Sequence, residues 1–293
     1  MMTKEKRLFG IAIATLMTLP TVTTPTFAHG EKLPLGDGQV SSFPKYDHVY
    51  SCKQRFNPNA PGARASGDWI VGDYWYPDRK PTVDGNVMWS GNGAKVTVAG
   101  GTRTIVSNLL PSHGTGEFPV KRSDDAYRYD RNPNKIRAQG LVLQLDATPE
   151  IAHRASCVPM GMIGVALSGA AIFNALDARG EDAPAHEIQD ECGGHPERSG
   201  MYHYHNGSDC MVELEKTKSG HSGLVGYALD GFGIYGKFGD DGVEMHNDDL
   251  DECHGHIGKV MWDGKEVEMY HYHLTDEYPY TIGCFVGTPV SNR

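Results

Sequence analysis

Short apolar runs separated by Gly, Asn and Asp dominate the hydrophobic pattern of the chain, and long helical periodicity is hard to find. Runs of this length, bounded by turn-forming residues, are typical of β-strands. Clear examples lie at residues 68–76, 94–98, 102–106 and 141–145. The pattern therefore predicts a mainly β fold.

The same pattern divides the chain into segments. Residues 29–95 are predicted to be a Pro- and Gly-rich N-terminal segment with some strands, and its first part, 29–66, is expected to be a loosely structured lead-in. Residues 96–293 are predicted to form a β domain. Within that domain, the polar, turn-rich residues 113–133 are expected to form a long loop.

An internal repeat organises the C-terminal part, over residues 163–210 and 225–284. GVALSGAAIF at 164–173 matches GYALDGFGIY at 226–235, DECGGH at 190–195 matches DECHGH at 251–256, and MYHYH occurs at both 201–205 and 269–273. A Cys follows each unit. Four matched blocks in the same order indicate duplicated supersecondary modules, so we expect a pseudo-two-fold C-terminal half.

The blocks also predict local structure. Two apolar runs flank Ser168-Gly169 in one unit and Asp230-Gly231 in the other, which predicts two β-hairpins with type I′ turns. The MYHYH blocks alternate aromatic and imidazole side chains with the period of a strand. Each unit is therefore predicted to contain a hairpin, a Cys/His loop, a Tyr-His strand and a closing Cys.

The N-terminus has the pattern of a signal peptide. Basic residues precede an uncharged run at 8–19 that is too short to span a bilayer, and small residues stand at 26 and 28. We expect residues 1–28 to be removed and the protein to be secreted or periplasmic; the alternative is an uncleaved anchor. No later stretch is apolar enough to cross a membrane.

The cysteine content agrees with export. Six Cys and no C-x-x-C motif behind a signal peptide indicate disulfides rather than a zinc knuckle or a redox pair. The repeat makes one pairing the simplest: Cys192 with Cys210, Cys253 with Cys284, and Cys52 with Cys157.

The charge balance restricts the partners. The chain carries 27 Lys and Arg against 37 Asp and Glu, a net charge of −10. We therefore expect no nucleic-acid binding, because phosphate contacts need clustered Lys and Arg. A small-molecule or extracellular ligand is not identified by the sequence, and neither is the oligomeric state.

The Tyr-His strands carry the candidate chemistry. Residues i and i+2 of a strand face the same side, so His203 and His205 are expected to point one way and the tyrosines the other, as are His271 and His273. Neutral imidazoles suit zinc, copper and iron. His195 or His256 is a candidate third ligand, which would leave zinc an open position. Whether the halves form one shared site or two is left open.

The MYHYH blocks resemble the family named for that signature, the YHYH-domain proteins. The resemblance covers roughly residues 100–290, with matching blocks at 107–119, 132–136, 163–173, 190–205, 226–236 and 250–287. It implies a secreted or cell-surface module and little chemistry. His113 lies within a matching block, which makes it a further candidate ligand; the alternative is a loop histidine.

Two weaker metal signals lie elsewhere. His29, if exposed by cleavage, is a candidate N-terminal copper ligand through its amine and imidazole. Residues 240–252 hold seven carboxylates, which calcium prefers, but their spacing does not fit an EF-hand and a solvated acidic turn is favoured. Calcium is therefore a less favoured cofactor than copper or zinc.

We expect an exported metal-binding protein, with ligands His203, His205, His271, His273, His195, His256 and His113. A metal-dependent hydrolase that attacks an ester, amide or phosphate is one hypothesis, with Glu191 or Glu252 as the carboxylate base. A copper oxidase, a metal carrier, and a metal-free module whose Tyr-His strands are a packing or recognition face are the alternatives. No catalytic residue is identified.

Overall fold

The computed structural model describes residues 32–62, 64–90, 93–211 and 220–291, without the side chain of residue 241. The predicted signal peptide at 1–28 and the candidate ligand His29 lie outside these ranges. The described part is mainly β, as predicted, and contains one short α-helix, α1 (Ala183–His186). Short 3-10 helices span Pro77–Arg79, Asp125–Arg128, Asp240–Gly242 and Asn247–Asp249.

The N-terminal segment contains five two-residue strands: β1 (Leu33–Pro34), β2 (Val40–Ser41), β3 (Val49–Tyr50), β4 (Ile70–Val71) and β5 (Tyr74–Trp75). They form a sheet of order β1-β5-β4 and a parallel β2-β3 pair. The predicted run at 68–76 is thus a tight β4–β5 hairpin rather than one strand, because Gly72 takes a φ of +61° between them.

An antiparallel sheet of three strands follows. Its strands are β6 (Lys95–Ala99), β7 (Thr102–Ser107) and β8 (Leu141–Asp146), in that order. They confirm the three predicted runs with bounds that differ by one residue. Between β7 and β8, residues 113–133 form a long loop whose helical part is Asp125–Arg128.

The remaining eight strands form one sheet of order β11-β12-β10-β9-β13-β14-β16-β15. They are β9 (Met162–Ala166), β10 (Ala171–Phe173), β11 (Gly194–Pro196), β12 (Tyr202–Tyr204), β13 (Leu224–Ala228), β14 (Gly233–Tyr235), β15 (Gly255–Trp262) and β16 (Lys265–His273).

The strand order is the same from either edge towards the centre. An antiparallel edge pair (β11–β12 or β15–β16) is followed by a parallel pair (β12–β10 or β16–β14) and an antiparallel hairpin. The hairpin strands β9 and β13 pair with each other at the centre. Four strands therefore separate β12 from β16, a distance of about 24 Å at a strand spacing of about 4.8 Å. The two Tyr-His strands cannot share one ion.

The two predicted hairpins form, but their turn type was predicted wrongly. Ala166 pairs with Ala170, and Ala228 with Phe232, around three-residue loops. Only the glycines, Gly169 and Gly231, take a positive φ. Each hairpin therefore has the three-residue type of loop, in which a Gly has a positive φ. This loop type does not require a positive φ at the residue before the Gly. A type I′ turn instead joins β15 to β16 at Asp263-Gly264, where both φ values are positive.

Three disulfides connect these elements, and all three predicted pairs are confirmed. The first ties the N-terminal segment to the residues before β9, and the other two close the Cys/His loops of the eight-stranded sheet. The pairs are Cys52–Cys157, Cys192–Cys210 and Cys253–Cys284.

Glycines allow the two hairpins to approach at the centre of the sheet. A Cβ on Gly226 would lie 2.5 Å from the carbonyl oxygen of Val165, and one on Gly164 would lie 2.8 Å from that of Tyr227. Both obstacles are backbone atoms of the neighbouring strand, which cannot move without disturbing the β9–β13 pairing.

We predict that Gly226→Ala lowers the free energy of unfolding by about 2 kcal/mol, because overpacking of a buried site typically costs 1–3 kcal/mol. Gly140→Ala is the matched control, since no atom lies within 4 Å of a Cβ at that position. Urea denaturation measures both variants. Equal stability of the two would contradict the close approach at the sheet centre.

Candidate metal centres

The alternation of the Tyr-His strands places the tyrosines against the protein interior. On β12, the Tyr202 hydroxyl donates to the Asp190 carboxylate at 2.9 Å, and the Tyr204 hydroxyl lies 2.9 Å from the Ser168 hydroxyl. Tyr202 and Tyr204 are fully buried.

The tyrosines of β16 make the corresponding contacts. The Tyr270 hydroxyl donates to Asp251 at 3.0 Å, and that of Tyr272 donates to Asp230 at 2.6 Å. Because side chains alternate along a strand, the histidines of both strands point to the opposite face, as predicted.

Backbone carbonyls fix the direction of these imidazole rings. Nδ1 of His203 contacts the Met201 carbonyl at 3.1 Å, and Nδ1 of His271 contacts that of Met269 at 3.1 Å. A carbonyl oxygen only accepts, so each Nδ1 carries the proton. Each neutral ring therefore presents an unprotonated Nε2 away from its strand.

The second histidine of each strand is held in the same way. Nδ1 of His205 contacts the Asn174 carbonyl at 2.5 Å, and Nδ1 of His273 contacts the Gly236 carbonyl at 2.7 Å. These carbonyls follow β10 and β14, the parallel neighbours of the Tyr-His strands. The hairpin of each unit thus sets the tautomer of its second histidine.

Four imidazoles converge beside β16, in a group that we call the four-His centre: His221, His256, His271 and His273. His256 is the direct cross-strand partner of His271. His221 precedes β13, and its Nδ1 contacts the Ser222 carbonyl at 2.8 Å. The His271 and His273 side chains are completely buried.

The Nε2 atoms of this centre have the spacing of metal ligands. His271 Nε2 lies 3.2 Å from that of His221, 3.1 Å from that of His256 and 3.0 Å from that of His273. A tetrahedral ion with bonds of about 2.0 Å separates its ligand nitrogens by about 3.3 Å. In a square-planar site, one of the other three nitrogens would lie directly across the ion from His271 Nε2, at about 4 Å. Since all three lie at about 3 Å, the arrangement of the four nitrogens is closer to a tetrahedron.

Burial and neighbouring charges favour the neutral form of three of these rings, those of His256, His271 and His273. Burial lowers the pKa of His271 to about 3, and burial together with the charge of His271 lowers the pKa of His273 well below its usual value. Burial, then the charge of His221, lowers the pKa of His256. Neutral imidazole is the form that binds metal ions.

A second group, which we call the cleft centre, lies beside β12: His195, His203, His205 and Glu187. His195 is the cross-strand partner of His203, and His203 Nε2 lies 3.1 Å from His205 Nε2. Glu187 Oε2 lies 3.2 Å from the Nε2 atoms of both His195 and His205. Contacts of about 3 Å thus run from His203 to His205, from His205 to Glu187 and from Glu187 to His195, and the ligand atoms of the three histidines all lie within 4.8 Å of one another.

Charge interactions stabilise the ionised carboxylate of the cleft centre. Burial alone would raise the pKa of Glu187, but the charges and hydrogen bonds of His195 and His205 outweigh burial and lower this pKa well below its usual value. Conversely, burial would lower the pKa of His195, and the Glu187 carboxylate raises it. Burial and the charges of His195 and His205 lower the pKa of His203.

His195 is nevertheless incompletely satisfied. Its side chain is buried, and neither ring nitrogen has a hydrogen bond of good geometry among the described residues, although Glu187 lies close. A buried polar group without a partner costs about 1–3 kcal/mol. A cation between His195, its neighbours and Glu187 would remove that cost.

Glu187 is positioned by α1 and by Lys80. Asp182 caps the start of α1, and Glu187 is its C-cap residue. Lys80 Nζ donates to the Glu187 carbonyl at 2.7 Å and contacts the Pro184 carbonyl and the Gln189 side chain. The ammonium group thus holds the backbone on both sides of the carboxylate.

The two centres differ in their surroundings. The cleft centre opens into a cavity of about 940 Å³, lined by Glu187 and by all three of its histidines. The walls include Phe173, whose ring stacks on His203 with a centroid separation of 3.9 Å. An added molecule can therefore approach the cleft centre, whereas the four-His centre is already surrounded by four imidazoles.

Other predicted residues lie outside both centres. His113 Nε2 contacts the Tyr204 hydroxyl at 2.6 Å, on the tyrosine face of β12, so His113 lies apart from the other predicted ligands and its role as a ligand stays a prediction. It lies beside Cys192 and Cys210, whose sulfurs are joined in a disulfide. Glu191 and Glu252, the predicted bases, are exposed, and Glu187 takes the position beside the histidines. No group of three close carboxylates occurs in the described part of residues 240–252.

His221 and Glu187 are the members that the sequence analysis missed. At the repeat offset of 62 residues, His221 aligns with Pro159. Comparison of the two units therefore does not reveal His221 as a repeated histidine. Glu187 lies between matched blocks, with no motif around it. The cap signal Asp182-x-Pro184 before it predicts a helix start but not a ligand.

Comparison with known proteins identifies the domain. Residues 142–244 match the family model described as YHYH protein. The chain contains a YHYH domain. The match confirms the resemblance over a shorter range than the predicted 100–290, and it includes the first MYHYH block but ends before the second. No curated protein and no solved structure matches the chain significantly.

The match to the YHYH family and the three disulfides of the chain are consistent with an extracellular protein, because such bonds persist in oxidising compartments. Within the described ranges, no helix has both the length and the apolar character needed to cross a membrane.

We predict that Lys80→Met lowers the free energy of unfolding by about 2 kcal/mol, because two buried carbonyls and an amide oxygen lose their donor. Lys259→Met is the control, since Lys259 is exposed and its ion pair with Glu266 spans 3.7 Å. Thermal unfolding followed by circular dichroism compares them. If Lys80→Met were as stable as Lys259→Met, the ammonium group would not be needed to hold the backbone around Glu187.

Proposed function

We propose that this protein is an exported metalloprotein with two separate centres, a closed zinc site at the four-His centre and an accessible metal site at the cleft centre. The four-His centre stabilises the C-terminal unit. The cleft centre carries hydrolytic chemistry. The proposal needs no movement of either Tyr-His strand.

The proposal rests on the convergence of unprotonated imidazole nitrogens. His271 and His273 both hold their proton on Nδ1, yet their Nε2 lone pairs face each other at 3.0 Å. Two lone pairs at this distance repel, and neither ring has a hydrogen to place between them. A cation would convert this repulsion into coordination, and the same holds for the His203–His205 pair, whose Nε2 atoms lie 3.1 Å apart.

Donor chemistry and geometry favour zinc at the four-His centre. Four neutral imidazoles suit zinc and copper. Cu(II) prefers a tetragonal arrangement, whereas His271 Nε2 lies about 3 Å from all three other nitrogens. With four protein ligands this centre has the closed character of structural zinc sites.

The cleft centre is the one suited to catalysis. A metal ion held by His195, His203, His205 and Glu187 would supply Lewis acidity and lower the pKa of bound water. Its cleft admits a substrate, and the apolar ring of Phe173 limits access of bulk water from the His203 side.

We predict about two zinc ions per chain in protein recovered by export, measured by elemental mass spectrometry and native mass spectrometry. The His203→Ala/His205→Ala and His271→Ala/His273→Ala variants should each retain one ion, because the centres are independent. The control is His153→Ala/His246→Ala, which removes two exposed histidines and should retain both ions.

Near-stoichiometric copper in place of zinc would contradict the assignment of the metal. Folded wild-type protein that neither contains metal nor takes up added zinc would contradict the whole proposal and favour a packing or recognition role for the Tyr-His strands.

We also predict that Glu187→Ala weakens zinc binding at the cleft centre by at least about 10- to 100-fold, because it removes a proposed ligand and loss of even an outer-shell partner has an effect of that size. Competition with a zinc chelator measures both affinities in one chain. The four-His centre should be unchanged, and equal weakening of both centres would indicate general unfolding instead.

A further inference from the structure

Arginine is concentrated at the cleft that leads to the cleft centre. Four lining residues are Arg64, Arg128, Arg131 and Arg198. Arg64 pairs with Glu181 at 3.3 Å. The other three are exposed, and no carboxylate in the described ranges lies within 4.0 Å of their guanidinium groups. This lining contrasts with the net charge of −10 on the whole chain.

Four carboxylates also line the cleft, but their oxygens are already engaged. Asp177 pairs with buried Arg179, and Glu187 faces the histidines of the cleft centre. Glu197 accepts the backbone N–H groups of Ser199 and Met201.

Asp130, the fourth carboxylate, is buried and accepts the backbone N–H of Asn132 at 2.9 Å. A ligand that enters the cleft therefore meets guanidinium groups that have no carboxylate partner, two of which lie over the rings of Tyr129 and Tyr127.

We propose that the cleft binds a phosphate monoester and that the cleft centre hydrolyses it. The substrate class rests on the proposed metal at that centre. Guanidinium groups match phosphate oxygens in a two-pronged geometry. Arg128, Arg131, Arg198 and a divalent ion carry five positive charges against the three carboxylates of Asp130, Glu187 and Glu197. The excess of two matches the two negative charges of a phosphate monoester better than the single charge of a carboxylate.

The walls of the cleft suit the rest of such a substrate. Phe173 and Met160 provide apolar surface next to the histidines. A cavity of about 940 Å³ is within the range of small-molecule sites. The phosphate can therefore lie between the cleft centre and the arginines while the alcohol portion of the ester packs against Phe173 and Met160.

The reaction is a hydrolysis that needs no oxidant or reductant. The oxygen of one water molecule forms a new bond to phosphorus, and the bond from phosphorus to the ester oxygen breaks. The alcohol leaves with one proton of the water, and inorganic phosphate remains.

Calorimetric titration of inorganic phosphate into zinc-loaded, desalted full-length protein tests this inference. We expect Arg128→Gln/Arg131→Gln/Arg198→Gln to weaken phosphate binding about tenfold or more, because charge-assisted hydrogen bonds are lost. Arg55→Gln/Arg122→Gln/Arg154→Gln removes the same charge from exposed positions outside the cleft, and should change binding less than about twofold.

Acetate, titrated in parallel, should bind the wild type at least about tenfold more weakly than phosphate. Equal weakening of phosphate binding in the cleft and control variants, or acetate binding as tight as that of phosphate, would overturn the inference. The zinc content of the same samples separates the two proposals. Zinc retained without arginine-dependent phosphate binding overturns only the substrate class, whereas phosphate binding without zinc uptake overturns the hydrolytic centre.

Discussion

Both centres depend on the hydrogen bonds that fix the imidazole rings of β12 and β16. Strand alternation alone places two histidines on one face, but it leaves each ring free to rotate. The carbonyls of Met201, Met269, Asn174 and Gly236 accept hydrogen bonds from the Nδ1–H groups and direct the two Nε2 atoms of each Tyr-His segment towards each other. Two of these carbonyls lie two residues before the ring that they orient, and two belong to the segment after the neighbouring hairpin. The strand order of the eight-stranded sheet thus determines which carbonyls orient the histidine rings near its two edges.

The same framework supports two different environments because the fourth group differs. At the four-His centre, His221 precedes β13 and adds an imidazole to a cluster that is already buried. At the cleft centre, the fourth group is Glu187, which α1 and Lys80 hold against His195 and His205. The position equivalent to His221 is Pro159, and the adjacent surface opens as the cleft. The difference between an enclosed and an accessible histidine cluster therefore lies in residues outside the two MYHYH segments.

Local features were predictable from the sequence because they depend on neighbouring residues. Strands β6 to β8, the three disulfides and the opposite faces of Tyr and His follow from periodicity and from the repeat. The type I′ turn assigned to Ser168-Gly169 failed because the hairpin closes one residue earlier, leaving positive φ to Gly169 alone. His113 lies apart from the other predicted ligands because its loop returns to the tyrosine face of β12, which the local sequence does not indicate. His221 and Glu187 reach their centres through tertiary packing, which no local pattern encodes.

Crystallographic anomalous scattering at the zinc absorption edge tests the two-centre account most directly, with protein purified after export and without added metal. The account predicts two peaks, one about 2.0–2.1 Å from the Nε2 atoms of His221, His256, His271 and His273 and one at the same distance from those of His195, His203 and His205. A well-ordered structure with no peak at either position, and with the imidazoles bridged by water or rotated apart, would contradict it.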